Sequence, residues 1–201
     1  MKITPIFSIG IGNAYEPGYL DLSRKIFAEN KHLLHGNNGN ASNFKHQNIN
    51  KHIIDESYVC PEDIEKLKEI ILEHGISYLK QTTAYIDIYE YEVKNLWLNE
   101  LIQDGRQMMH NHPGFVVSGT YYVDLPANSS PIAFHNPNQL FLPQAYEVEL
   151  HNEYCSENCV FLPKEGDLFF WFANLYHSVD KTSYSGHRRS ISFDISIKGL
   201  K

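Results

Sequence analysis

From about Thr82 onward the chain alternates with a period of two, and this constrains its fold more than any other feature. The stretch AYIDIYEYEVKNLWLNEL, residues 84–101, is followed by FVVSGTYYVDL, PIAFH, YEVEL, DLFFWF and RSISFDISI. Each is rich in β-branched and aromatic residues. Alternation puts residues i and i+2 on one face of an extended chain, so each run reads as a strand with a buried face. Turn chemistry separates the runs at Pro126–Ser130, Asn136-Pro137-Asn138, Pro163–Gly166 and Tyr184-Ser185-Gly186. Short strands at this spacing bury their apolar faces by forming a sandwich or closing into a barrel.

The first part of the chain is different. Leu20, Ile26, Phe27, Leu33 and Leu34 suit one imperfect amphipathic helix after Pro17. A second helix is clearer: Pro61 fits its first turn, Glu62, Asp63 and Glu65 favour its positive end, and Ile64, Leu67, Ile70, Ile71 and Tyr78 recur on one face. Gly75 is expected to end or weaken it. Between the helices, residues 36–52 are rich in Asn and Gly and read as a long loop, either over a site or disordered when that site is empty. Gly10-x-Gly12 lacks the strand and helix context of a nucleotide motif. With 201 residues, 42% of them hydrophobic, the chain can bury one substantial core. We expect one domain over residues 1–201, with a mainly helical part at 1–81 and a strand core at 82–201.

Charge excludes some partners. The net charge is −7 and no run of Lys and Arg marks a nucleic-acid footprint. No segment approaches the roughly 18 continuous apolar residues of a membrane span. The apolar start is broken by Pro5, Gly10 and Gly12, unlike a signal peptide, so a cytoplasmic protein is expected. The three cysteines agree with a reducing compartment. Cys155 and Cys159, four residues apart and downstream of His151, lack the tighter spacing and fourth ligand of a zinc knuckle and read as reduced thiols.

Two segments carry chemistry. In HNHPGFVVSGTYYVD, His110 and His112 share a face if the chain is extended there, and Pro113 favours that conformation for His112. Such a pair makes half of a metal site at a barrel mouth, and His177 in LYHSV could close it from another strand end. Imidazole sets suit iron, copper, nickel or zinc. In RRSISFDI, Arg188, Ser190 and Ser192 share one face, and Arg189, Ile191 and Phe193 the other. An arginine inside a barrel is costly unless paired. Either a ligand carboxylate gripped by the planar fork of Arg188, with Ser190 assisting, or a protein Asp or Glu would meet that need. On the strand before Asp124, Ser118, Thr120 and Tyr122 form a polar face, so Tyr122 rather than Tyr121 is the phenol expected to reach a ligand. His135 could flank the site. His32, His35, His46, His52, His74, His151 and His187 read as surface or loop residues.

These residues resemble a family. The segment from Trp97 to the C-terminus, with HNHPGFVVSGTYY, GDLFFWFANLYHSV and RRSISF, is similar to the 2-oxoglutarate- and Fe(II)-dependent oxygenases. The nearest likeness is to a bacterial and phage branch ordered like the prolyl hydroxylases. The resemblance implies an α+β chain with a double-stranded β-helix core, jelly-roll or cupin-like, behind N-terminal helices. It implies Fe(II) as cofactor and 2-oxoglutarate as co-substrate. His110 and His177 would be iron ligands. Arg188 would hold the far carboxylate of 2-oxoglutarate, helped by Ser190 and Tyr122. Members of this superfamily usually carry Asp or Glu where His112 stands. The third ligand is therefore His112, a carboxylate from elsewhere, or a position left to water or an anion. The implied reaction uses O2 to hydroxylate a C–H bond of a peptide side chain or small molecule, releasing succinate and CO2. Two other readings remain: a three-histidine cupin-type dioxygenase without 2-oxoglutarate, which gives Arg188 no role, and a non-catalytic metal- or sugar-binding barrel.

Overall fold

In a computed structural model, the structure describes residues 8–31, 34–36, 41–48, 61–82, 84–138, 156–181 and 185–201. Ten strands and two helices follow one another: β1 (Gly12–Tyr15), α1 (Leu20–Asn30), β2 (His35–Gly36), β3 (Ala41–Asn48), α2 (Pro61–Gln81), β4 (Tyr89–His110), β5 (Val117–Asp124), β6 (Ile132–His135), β7 (Asn158–Phe161), β8 (Asp167–Phe172), β9 (His177–Val179) and β10 (Arg188–Leu200). The strands run antiparallel in the order β1-β8-β5-β10-β4-β9-β6-β7, with β3 also on β4. This is the curled sheet of a double-stranded β-helix.

β4 is the hinge of the architecture. Its first part, Tyr89–Leu101, pairs with β10, whereas its last part pairs with β9 through Gln107↔Val179 and His110↔His177 with an irregularity between them. Asp104 adopts a positive φ of 62°, followed by Gly105, and here the strand turns from one wall to the other. One continuous strand thus belongs to both walls, and the second wall, β9-β6-β7, hangs from its end.

Alternation sorts the side chains into two apolar clusters. On the helix side, Ile26, Phe27, Ile64, Leu67, Ile71 and Tyr78 pack with Tyr121, Phe170, Ile191, Phe193 and Ile195. Inside the barrel, Tyr122, Ile132, Phe134, Phe169, Trp171 and Leu175 pack together. Tyr121 and Tyr122 therefore face opposite ways, as do Phe170 and Trp171. The Tyr121 hydroxyl donates to the Glu16 carbonyl oxygen at 2.7 Å.

Several sequence expectations change. α2 runs unbroken through Gly75, where a Cβ would lie 2.2 Å from Ile195 Cδ1; the glycine admits close helix–sheet packing instead of ending the helix. α1 stops at Asn30, so Leu34 lies beyond it while still packing on the core, and Leu33 is outside the described residues. Residues 41–48, read as loop, form β3 against β4, because an edge strand is held by backbone hydrogen bonds whatever its Asn content. Strand structure begins at Tyr89, not in residues 84–88. β1, β7 and β9 are too short to show periodicity and leave no strand signal in the sequence. YEVEL, residues 146–150, falls outside the described residues.

His74, expected at the surface, sits partly buried on α2 with Nε2 2.8 Å from Glu16. Cys159 is an exposed free thiol, while His151 and Cys155 lie outside the described residues. No helix among those described is long and apolar enough to cross a membrane.

Candidate metal centre

The three histidines meet at the open end of the barrel. His110 ends β4 and stands opposite His177, the first residue of β9. His112 follows two residues later, its backbone N–H bonded to the Ala173 carbonyl at 2.8 Å, ahead of a turn in which Gly114 has φ +93°. One ring nitrogen of each histidine lies within 4.8 Å of the others. Ring centroids are 4.2 Å apart for His110–His177, 5.2 Å for His110–His112 and 5.3 Å for His112–His177.

Hydrogen bonds set which nitrogen is free. His110 Nδ1 lies 2.9 Å from the Met108 carbonyl and His177 Nδ1 3.0 Å from the Leu175 carbonyl, in each case the residue two back. A carbonyl can only accept, so both Nδ1 atoms carry the proton and both Nε2 atoms carry the lone pair. His112 Nδ1 lies 2.7 Å from Asp194 Oδ1, and a carboxylate imposes the same tautomer. The Gln107 amide meets His110 Nε2 at 3.2 Å, as a donor to that lone pair. All three imidazoles thus present Nε2 as the ligating atom. Burial holds His110 below the usual imidazole range and His177 well below it, the latter also through neighbouring His110, so both favour the neutral form a metal needs. Trp171 packs 4.8 Å from His177, and the edge of Trp97 meets His112 at 5.7 Å.

Behind the histidines runs a polar lane. The interior face of β10 carries Arg188, Ser190, Ser192 and Asp194, all buried except the half-buried Ser192. Register places Ser190 between Asn99 and Tyr122, and Asp194 beside Ser118. Asn99 donates to Ser192 Oγ at 2.7 Å, which donates to Thr120 Oγ1 at 3.2 Å. The two arginines divide as strand alternation requires. Arg189 points outward and bonds Glu100 at 2.8 Å and Asp124 at 3.3 Å. Arg188 is 4% exposed, and no ion pair forms to it among the described residues. Its Cζ lies 5.1 Å over the Tyr122 ring. Arg188 Nε and the Tyr122 hydroxyl are both buried without a hydrogen-bond partner among the described residues. Burial pushes the Tyr122 phenol up to about 12, so it remains a hydrogen-bond donor.

The donor set and the orphaned polar atoms fit Fe(II) and 2-oxoglutarate. Three lone pairs converge where a metal would sit. Deeper in the barrel, a buried cation and a phenol await an anion. His135, expected as a flanking residue, has Nε2 engaged by Ser178 Oγ at 3.0 Å, one residue along β9 from His177. Sequence reasoning misses Asp194, Trp97 and Trp171. Asp194 alone carries a usable signal: it continues the i+2 face of Arg188, Ser190 and Ser192.

A curled barrel with a histidine cluster at its mouth and an anion lane behind it could hold a metal and an anionic co-substrate, and comparison with known proteins shows which class does so. Residues 95–194 match the model of the family described as "Putative 2OG-Fe(II) oxygenase". That segment, which holds every residue of the site, is a 2-oxoglutarate- and Fe(II)-dependent oxygenase domain, with Fe(II) as cofactor and 2-oxoglutarate as co-substrate. Among solved structures, the fold is similar to a Pseudomonas putida prolyl-4-hydroxylase (TM-score 0.64, 10% identity, 96% of this chain and 95% of that one). It is also similar to an oxidoreductase of the 2OG-Fe(II) oxygenase family from Burkholderia pseudomallei (0.57, 14%, 89% and 80%). A third is HygX from Streptomyces hygroscopicus with nickel and 2-oxoglutarate bound (0.58, 8%, 94% and 84%). No curated protein matches by sequence.

Proposed function

We propose that His110, His112 and His177 hold Fe(II), that Arg188, Ser190 and Tyr122 hold 2-oxoglutarate, and that the enzyme hydroxylates a C–H bond of a peptide side chain or small molecule. The observation that carries this is Arg188. It is a buried arginine on the interior face, with no carboxylate partner among the described residues, while its neighbour Arg189 takes two acidic partners outside. A dicarboxylate entering the lane would meet the Arg188 fork with one end and the histidine cluster with the other.

Bound together, Fe(II) and 2-oxoglutarate would supply the oxidising chemistry, with O2 consumed and succinate and CO2 released. The chain's own task is placement. His110 and His177 are locked by the carbonyls two residues before them, so neither ring has to turn when a metal arrives, and only the Gln107 amide has to leave His110 Nε2. Tyr122 and Ser190 stand beside Arg188 to orient the bound anion. Trp97, Trp171 and Phe134 form apolar walls around the rings and limit water. The whole of residues 1–201 acts as one domain in this reading; the shared apolar cluster of α1, α2 and the sheet supports it.

The test is anaerobic titration of the metal-free protein with Fe(II) and then 2-oxoglutarate. A visible metal-to-ligand charge-transfer band should saturate at one equivalent of each, and admitting O2 should yield succinate. The three-imidazole set favours one other reading, a dioxygenase that needs no 2-oxoglutarate. Oxygen uptake indifferent to 2-oxoglutarate would establish that alternative, and no uptake with either would leave a binding barrel.

A further inference from the structure

Of the three Nδ1–H groups in the cluster, two meet neutral backbone carbonyls and the third meets a carboxylate. Asp194 is fully buried. Its Oδ1 accepts from His112 Nδ1 at 2.7 Å and from Ser118 Oγ at 2.6 Å, and its Oδ2 accepts from Asn95 Nδ2 at 3.1 Å. Ser118 and Asn95 are neutral, and among the described residues no arginine or lysine pairs with Asp194. A buried carboxylate with neutral donors is costly and needs a counter-charge. Among these partners, the group that leads to one is His112, whose far nitrogen faces the centre of the histidine cluster.

We propose that Asp194 is a positioning residue for His112, supplying through that imidazole the negative charge that an acidic residue at position 112 would place directly on the metal. This rests on the reading that His112 is a metal ligand. Three neutral imidazoles leave a divalent ion with its full double charge. Asp194, one ring away, reduces the net charge of the site to that of two imidazoles and one carboxylate. The effect is reciprocal: a metal on Nε2 makes Nδ1–H a stronger donor, and a carboxylate acceptor makes Nε2 a better ligand. Ser118 and Asn95 fix the carboxylate beside His112 by a bond to each of its oxygens. Asp194 also ends the polar face begun by Arg188, so β10 carries the cation for the co-substrate at one end and the anion for the metal at the other.

The test is a double-mutant cycle read by Mn(II) affinity in calorimetry, without 2-oxoglutarate and without turnover. Asp194→Asn keeps the size and an acceptor oxygen while removing the charge; Mn(II) should bind about 10- to 100-fold more weakly, as loss of such outer partners does elsewhere. In the His112→Asp background the charge is already on the metal, and Asp194 would face a second carboxylate. There Asp194→Asn should cost nothing or tighten binding. An equal loss in both backgrounds would mean that Asp194 only supports the fold, and no loss in the wild-type background would also overturn the proposal. His112→Ala tests the underlying reading separately: full Mn(II) affinity in that variant would remove His112 from the ligand set. If Asp194→Asn does not fold, nitrogen-15 NMR of the metal-free wild type decides. His112 should be the Nδ1–H tautomer with a low-field, slowly exchanging proton; the Nε2–H tautomer would refute the assignment.

Discussion

Replacing Arg188 by methionine separates binding from stability. The guanidinium is buried, its Nε has no hydrogen-bond partner among the described residues, and its Cζ lies 5.1 Å over the ring of Tyr122, the register partner of Ser190. Two charge-assisted hydrogen bonds to a carboxylate contribute about 1.5–3 kcal/mol each. Removing one member of such a buried pair costs about 2–5 kcal/mol. At about 1.4 kcal/mol per tenfold, Arg188→Met should weaken 2-oxoglutarate by roughly 30-fold to several thousand-fold. Arg188→Lys keeps the charge and loses the fork, so it should fall between. Methionine also removes a buried cation, so the melting temperature of the ligand-free protein should hold or rise. Arg189→Met should do the opposite. It takes one bond from Glu100, which keeps His187, and one from Asp124, which keeps Arg24, costing about 1–3 kcal/mol, and leaves 2-oxoglutarate affinity nearly unchanged. For a chain of this length that is a drop of roughly 2–12 °C. The assays are calorimetry with Mn(II) in place of Fe(II) and thermal melts of the same samples. If Arg188→Met binds 2-oxoglutarate like the wild type, or Arg189→Met is the variant that fails to bind, the inward-facing assignment is refuted.

Three further outcomes are expected. His110→Ala and His177→Ala should each abolish stoichiometric Fe(II) binding with far-ultraviolet circular dichroism unchanged; full iron content in both would move the metal elsewhere. Tyr122→Phe should weaken 2-oxoglutarate by roughly tenfold or more in calorimetry with Mn(II), the worth of one hydrogen bond to a charged group; unchanged affinity would take the phenol out of the co-substrate site. Gly119→Ala should lower stability by about 3 kcal/mol in denaturant titration, since its Cβ would lie 2.1 Å from Phe193 Cζ and 2.3 Å from the Phe169 carbonyl oxygen, and backbone cannot yield as a side chain can.

The parts of this molecule that are legible in sequence are those in which two faces meet different environments. β5, β8 and β10 separate helix side from barrel side residue by residue, and so alternation alone parts Tyr121 from Tyr122 and Arg188 from Arg189. β3 is not legible: its contribution is backbone pairing at an edge, which leaves no apolar period. Gly75 misleads because a glycine in a helix signals an end only when nothing packs against it, and here Ile195 does. The histidine cluster can be read from spacing and likeness. The Asp194–His112 contact cannot, because it depends on the distance between β10 and the segment that follows β4, far apart in sequence.

The thin join between β4 and β9 has a consequence for the life of the protein. Two register pairs, one of them His110↔His177, attach the second wall at this edge. A metal held by His110, His112 and His177 would act as a clasp across that seam, binding the closed form and not the open one. At free metal a thousand times the dissociation constant, such linkage adds about 4 kcal/mol to the closed state. Without a metal, that edge would rest on its two register pairs and on the apolar cluster of Ile132, Phe134 and Leu175 with Tyr122, Phe169 and Trp171.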